Sequence, residues 1–111
     1  MTELKLSNLE TIILRTFHET YSNLGFPPPE NIAVRRRENT GAGRYVDLAS
    51  ADTLTIEDGY LDLAGRYIRM SGVPNGLMAV VAIQHGKLDQ LEIATYGDVS
   101  WDGEERTWAI I

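Results

Sequence analysis

The chain has 111 residues, 16 acidic against 10 basic, a formal net charge of -6 and no cysteine. That length fits one domain spanning 1–111, and the missing thiols exclude disulfides, cysteine nucleophiles and cysteine-ligated zinc. The acidic balance disfavours nucleic acid and favours a cationic protein partner.

The opening MTELKLSN lacks a basic region followed by an apolar core. The longest strictly apolar run, Leu77 to Ile83, is far short of the ~20 residues a membrane helix requires. A cytoplasmic protein with no membrane contact is the expectation. Ser7 and Glu10 then form a capping box, and Leu9, Ile12, Ile13, Phe17, Tyr21 and Leu24 recur at helical spacing, which predicts a helix over 8–24. Gly25 and the prolines at 27 to 29 end it. Ile32, Val34 and Arg36 alternate with Ala33, Arg35 and Arg37, and Tyr45, Val46 and Leu48 resume after TGAG, so two strands flank a glycine turn whose glycines take positive φ. Asp58-Gly59 predicts a second hairpin between LTIE and YLDL. RYIRM and a turn at Val73-Pro74-Asn75-Gly76 lead to LMAVVAI, apolar on both faces and therefore a central strand. His85-Gly86 closes it, KLDQLEIATY alternates with one irregular step, and RTWAII is the last strand. The expected fold is α+β, with one N-terminal helix on a mostly antiparallel sheet of about five to seven strands.

The segments Thr40, Gly41, Gly43 and then Leu91, Glu92, Thr95, Tyr96, Gly97, Trp101 carry a resemblance. The chain resembles a group of small bacterial proteins of similar length with a Thr-Gly-x-Gly segment after the first helix and strand and a Leu-Glu-x-x-Thr-Tyr-Gly segment, with a following tryptophan, near the C-terminus. Arg44 departs from that group, which carries aromatic residues directly after the second glycine. The resemblance implies a helix-plus-sheet fold and no catalytic residue.

Glycine-rich phosphate cradles open a helix, whereas TGAG opens a strand, so it reads as a bend. Asp98, Ser100, Asp102 and Gly103 match early positions of a calcium loop, but the twelfth position is Ala109 and the flanks are strands. The alternative to that loop is a solvated acidic turn with Trp101 beneath it. His18 and His85 have no patterned third ligand, and no nucleophile elbow occurs. Carboxylate pairs such as Asp58 with Asp62, or Asp89 with Glu92, read as surface acids. No metal, cofactor or catalytic residue is assigned.

Two functional expectations follow. In the first, the chain is a small acidic protein-binding module, of the immunity type that inhibits a cationic, nuclease-like bacterial toxin. It would present Tyr96, Asp98, Trp101, Asp102, Glu104 and Glu105, with the aromatics as anchors and the acids as steering charges. Trp101 is then part-exposed in its polar turn, Trp108 is core, and neutralising the four acids leaves folding nearly unchanged. In the alternative, a small-ligand protein or enzyme holds an anion with Arg35, Arg37 and Arg44 in a pocket between helix and sheet. Homo-oligomerisation through a sheet edge is compatible with either.

Overall fold

The computed structural model describes residues 4–51 and 53–111. Helix α1 spans Asn8–Thr20, and its capping box forms as the sequence predicts: Glu10 N–H donates to Ser7 Oγ at 3.1 Å, and Ser7 N–H to Glu10 Oε1 at 2.9 Å. The helix stops four residues earlier than predicted. Ser22–Leu24 tightens into a 3-10 turn before Gly25, because Ser22 and Asn23 favour backbone-bonded turns over helix interiors. The buried arc is Leu9, Glu10, Ile13, Leu14, Thr16 and Phe17. Ile12, assigned to the stripe, lies outside this arc at 41% exposure, and Leu24 is only partly buried. Phe17 stacks on Tyr21 and on Phe26.

Among the described residues seven strands follow, all paired antiparallel: β1 Ile32–Asn39, β2 Gly43–Ser50, β3 Gly59–Asp62, β4 Ile68–Met70, β5 Val73–Gln84, β6 Lys87–Thr95 and β7 Trp108–Ile110. The order is β1-β2-β6-β5-β4-β7, with β3 pairing β5 beside β4. The α+β expectation therefore holds. One face of the sheet buries Val46, Leu48, Ile68, Leu77, Ala79, Val81, Ile83, Leu91 and Ile93 with the helix side chains Leu9, Ile13, Leu14 and Phe17 in one core.

Two turns differ from expectation. LTIE is not a strand; instead Asp58 accepts from the amides of His85 and Gly86 at 3.0 and 3.1 Å, capping the β5–β6 turn rather than making its own hairpin. The amide pair holds the Asp58 carboxyl below the usual range. Val73 to Gly76 is likewise no turn but part of β5. The register steps from Met70↔Val73 to Ile68↔Leu77, so Pro74, Asn75 and Gly76 bulge outward, and the bulge tolerates a residue without an N–H. The chain reverses at Ser71-Gly72 instead. Two bulges correct the strand faces. Arg35 is the extra residue between Val34↔Leu48 and Arg36↔Asp47, so it does not share a face with Arg37 by simple alternation. Asp89 is the extra residue between Ala82↔Gln90 and Ile83↔Leu88, the irregular step visible in the sequence.

In the TGAG bend only Gly41 has positive φ, at +89°. Gly43 is required for a different reason: a Cβ there would collide with the Ile93 carbonyl oxygen of the adjacent strand. Neither backbone can retreat without opening the β2–β6 ladder. Gly43→Ala is therefore expected to cost about 1–3 kcal/mol, the usual range for over-packing, read as a lower urea midpoint. A variant as stable as the parent would show that the ladder gives way freely.

Candidate functional site on the uncovered sheet face

The residues expected to bind a partner or an anion divide sharply once their surroundings are seen. Arg44, on the helix side of β2, is 5% exposed. Its Nη1 donates to Glu10 Oε2 at 2.9 Å and Glu105 Oε2 at 2.6 Å, its Nε to Asn39 Oδ1 at 2.8 Å and its Nη2 to the Gly103 carbonyl at 2.6 Å. Arg37 grips both oxygens of the same Glu10, Nε at 2.8 Å and Nη2 at 2.5 Å, the bidentate fork that guanidinium geometry favours. Glu10 itself has no exposure. The anion expected for Arg37 and Arg44 is thus the protein's own capping-box glutamate. Arg35 stands apart from them, exposed on the β1 bulge.

The C-terminal loop closes over this cluster. Trp101 is 2% exposed, lies 5.0 Å beneath the Arg44 guanidinium, donates from its indole N–H to the Glu104 carbonyl at 2.9 Å and from its amide to the Gly41 carbonyl at 2.8 Å. Its expected exposure is overturned, because Arg44 and the TGAG bend cover a turn that looks polar in isolation. Trp108, expected in the core, is only partly buried near the sheet edge. Glu105 accepts the Leu9 amide at 3.1 Å in addition to Arg44. Burial works against its charge, yet Ser7, Arg44 and the Leu9 amide outweigh that effect and hold the carboxyl below its ordinary value. Asp102 takes a two-pronged bond from Arg106 at 2.9 and 2.7 Å, which holds it well below the carboxylate range. Neutralising all four loop acids would therefore disturb the fold, contrary to expectation. Asp98, Glu104 and Tyr96 are exposed.

The other face of the sheet is different. Cross-strand register lines up Glu38, Tyr45, Glu92, Val80 and Asp62 in one row, with Arg36, Asp47, Gln90, Ala82 and Tyr60 in the next, and Ala94 opposite Met78 beyond. Met78, Val80 and Ala82 are half-buried although helix α1 lies on the opposite side. Tyr60 is 80% exposed, Tyr96 42% and Tyr45 37%. The Glu92 carboxylate, by its charge and by a hydrogen bond, with a smaller effect of Glu38, raises the Tyr45 phenol above its usual value. At the β3/β4 end of this face a cleft of about 610 Å³ is bounded by Asp62, Arg66, Tyr67, Arg69, Met78 and Tyr96, among others.

Ion pairs among the described residues engage Arg15, Arg36, Arg37, Arg44 and Arg106 with Glu30, Glu38, Glu10, Glu105 and Asp102. The two signs are engaged in equal number, so the net charge of -6 rests on carboxylates outside these pairs. Among the described residues no group of His, Cys, Asp and Glu is arranged to hold a metal ion, and no helix is long and apolar enough to cross a membrane. Comparison with protein-family models, with curated proteins and with solved structures finds no match for this chain.

Proposed function

We propose that this chain is a small acidic protein-binding module that docks a cationic partner on the uncovered face of its sheet. An immunity-type inhibitor of a nuclease-like bacterial toxin is the kind of protein this describes. The observation that carries the reading is the strip Met78, Val80 and Ala82, apolar and open, flanked by the exposed rings of Tyr45, Tyr60 and Tyr96. Apolar side chains ringed by tyrosines on an otherwise polar surface are the composition of an interface centre. Asp47 and Glu92 beside the strip supply charge that speeds encounter with a basic surface. The surface differs from the one expected from sequence, since Trp101 and Glu105 are engaged inside the fold.

The charge-reversed variant Asp47→Lys/Glu92→Lys tests the reading with native extract passed over immobilised protein. The parent is expected to retain a stoichiometric basic protein that elutes as salt rises, and the variant to lose it while melting like the parent. Retention of the same partner by both forms, or of an acidic protein only, would overturn the assignment of this face.

A further inference from the structure

The cleft on this face has a structural cause. Strand β5 is flanked on one edge by two short strands placed end to end: β3 pairs as far as Asp62↔Val80, and β4 begins at Ile68↔Leu77. Among the described residues Met78 and Ala79 have no strand partner on that edge. After the buried Leu63, residues 64–67 swing out instead, with positive φ at Ala64 and Gly65, and leave a notch in the sheet.

The walls of the notch are held in place. Tyr67 and Ile111 exchange backbone hydrogen bonds at 3.4 and 2.9 Å, and the Tyr67 ring lies so close over Gly76 that a Cβ there would meet its Cδ2 at 2.9 Å. Tyr96 stands among the residues bounding the notch, and Met78, Ala79 and Val80 make the floor. Arg66 and Arg69 are exposed at the rim, and neither is in an ion pair with a described carboxylate. Among the described residues the rim has a single acid, Asp62, whose Oδ1 accepts the Ala64 amide at 2.8 Å. Around it the sequence carries no Asp or Glu from 63 to 88, in a chain with 16 acids.

We propose that this notch is a binding site for a small planar aromatic anion, a carboxylate or a phosphate ester. Its ring lies between Tyr67 and Tyr96 over Met78, and its charged group meets the Arg66 and Arg69 guanidinium forks. The volume of about 610 Å³ falls within the roughly 300–1,000 Å³ usual for small-molecule sites. Two guanidiniums match the paired oxygens of carboxylate or phosphate better than point charges would. The notch shares Met78, Val80 and Tyr96 with the docking strip but uses neither Asp47 nor Glu92, so the Asp47/Glu92 reversal tests docking alone and the Arg66/Arg69 variants test this site alone.

The test is a titration of isotope-labelled full-length protein, followed by amide chemical shifts, with four probes: benzoate, phenyl phosphate, inorganic phosphate and benzyl alcohol. Benzoate or phenyl phosphate is expected to shift the amides of residues 63–69 and 76–80 with a Kd on the order of 1 mM or tighter. Whichever of the two binds more tightly identifies the charged group as carboxylate or phosphate ester. Inorganic phosphate and benzyl alcohol, each lacking half of the ligand, are expected to bind roughly tenfold more weakly or worse. Arg66→Ala/Arg69→Ala is expected to weaken the aromatic anion by about tenfold or more with melting unchanged, and Arg66→Lys/Arg69→Lys to fall between parent and alanine forms. Shifts centred elsewhere, no shift with either aromatic anion, unchanged affinity in the alanine variant, or benzyl alcohol binding as well as benzoate would each overturn the proposal.

Discussion

Replacing Arg44 with methionine is expected to lower the free energy of unfolding by about 3–5 kcal/mol, the loss typical when one member of a buried ion pair is removed and its partner stays. Methionine fills most of the space, so the effect isolates charge and hydrogen bonding from cavity formation. Glu10 would keep Arg37, but the Glu105 carboxylate, the Gly103 carbonyl and the Asn39 amide oxygen would each lose the donor they now share. Trp101 fluorescence should shift to the red as the loop over it loosens, since the guanidinium now covers its ring. Acid should narrow the difference. Glu105 has a folded-state carboxyl below the ordinary glutamate value of 4.5, so its contribution is present above that unfolded value and fades as pH falls through the lower, folded one. The difference between parent and variant should therefore shrink as pH falls through that lower, folded value, leaving the part owed to the Gly103 and Asn39 acceptors, which do not titrate. Equal stability at pH 7, measured by urea denaturation, would show that the cluster contributes nothing net.

Ile13→Asp is the second large expectation. Ile13 is fully buried in the helix–sheet core, on the far side of the helix from solvent and among Leu9, Phe17 and the sheet side chains. An aspartate there must either protonate or remain charged in an apolar site, and a penalty beyond about 4 kcal/mol would unfold much of the population of a marginally stable domain. The expected result is loss of the cooperative thermal transition at neutral pH with partial recovery toward pH 4, where the carboxyl is neutral. A variant with the melting curve of the parent would show that the helix does not pack on the sheet through this residue.

What the sequence reveals here depends on how local the cause is. Ser7 with Glu10, the spacing of Leu9, Ile13 and Phe17, the two-residue turn at His85-Gly86 and even the odd step at Asp89 are short-range patterns, and each appears in the fold where the sequence places it. Asp58 misleads because an aspartate-glycine pair is a hairpin signal, while its actual partners are the amides of another turn. Trp101 misleads for the same reason on a longer scale: its neighbours in sequence are polar, but the group that buries it is Arg44, which also bonds Glu105 across 61 positions. Arg44 itself sits at a core-facing position of its strand, where alternation gives the face but not the carboxylates waiting on it. The candidate surface was half visible. LMAVVAI, apolar on both faces, correctly marks β5 as central, yet apolarity on both sides suggests cover on both sides, and the structure provides it on one. The notch could have been suspected from the acid-free stretch around Arg66 and Arg69, but its existence needs β3 and β4 to share one edge, which pairing alone decides.

The place of β2 beside β6 also sets the order in which the molecule can assemble. Both β1–β2 and β5–β6 are hairpins between sequence neighbours and close within microseconds on the usual scale of such events. Joining them requires Asp47 to find Gln90, 43 positions away across the chain that carries β3, β4 and β5, and that closure is entropically costlier than either hairpin. A rate-limiting step at the seam between these two halves is the expected result, with substitutions along the seam slowing refolding in stopped-flow more than substitutions at the turns; equal effects at both would show that the seam forms early.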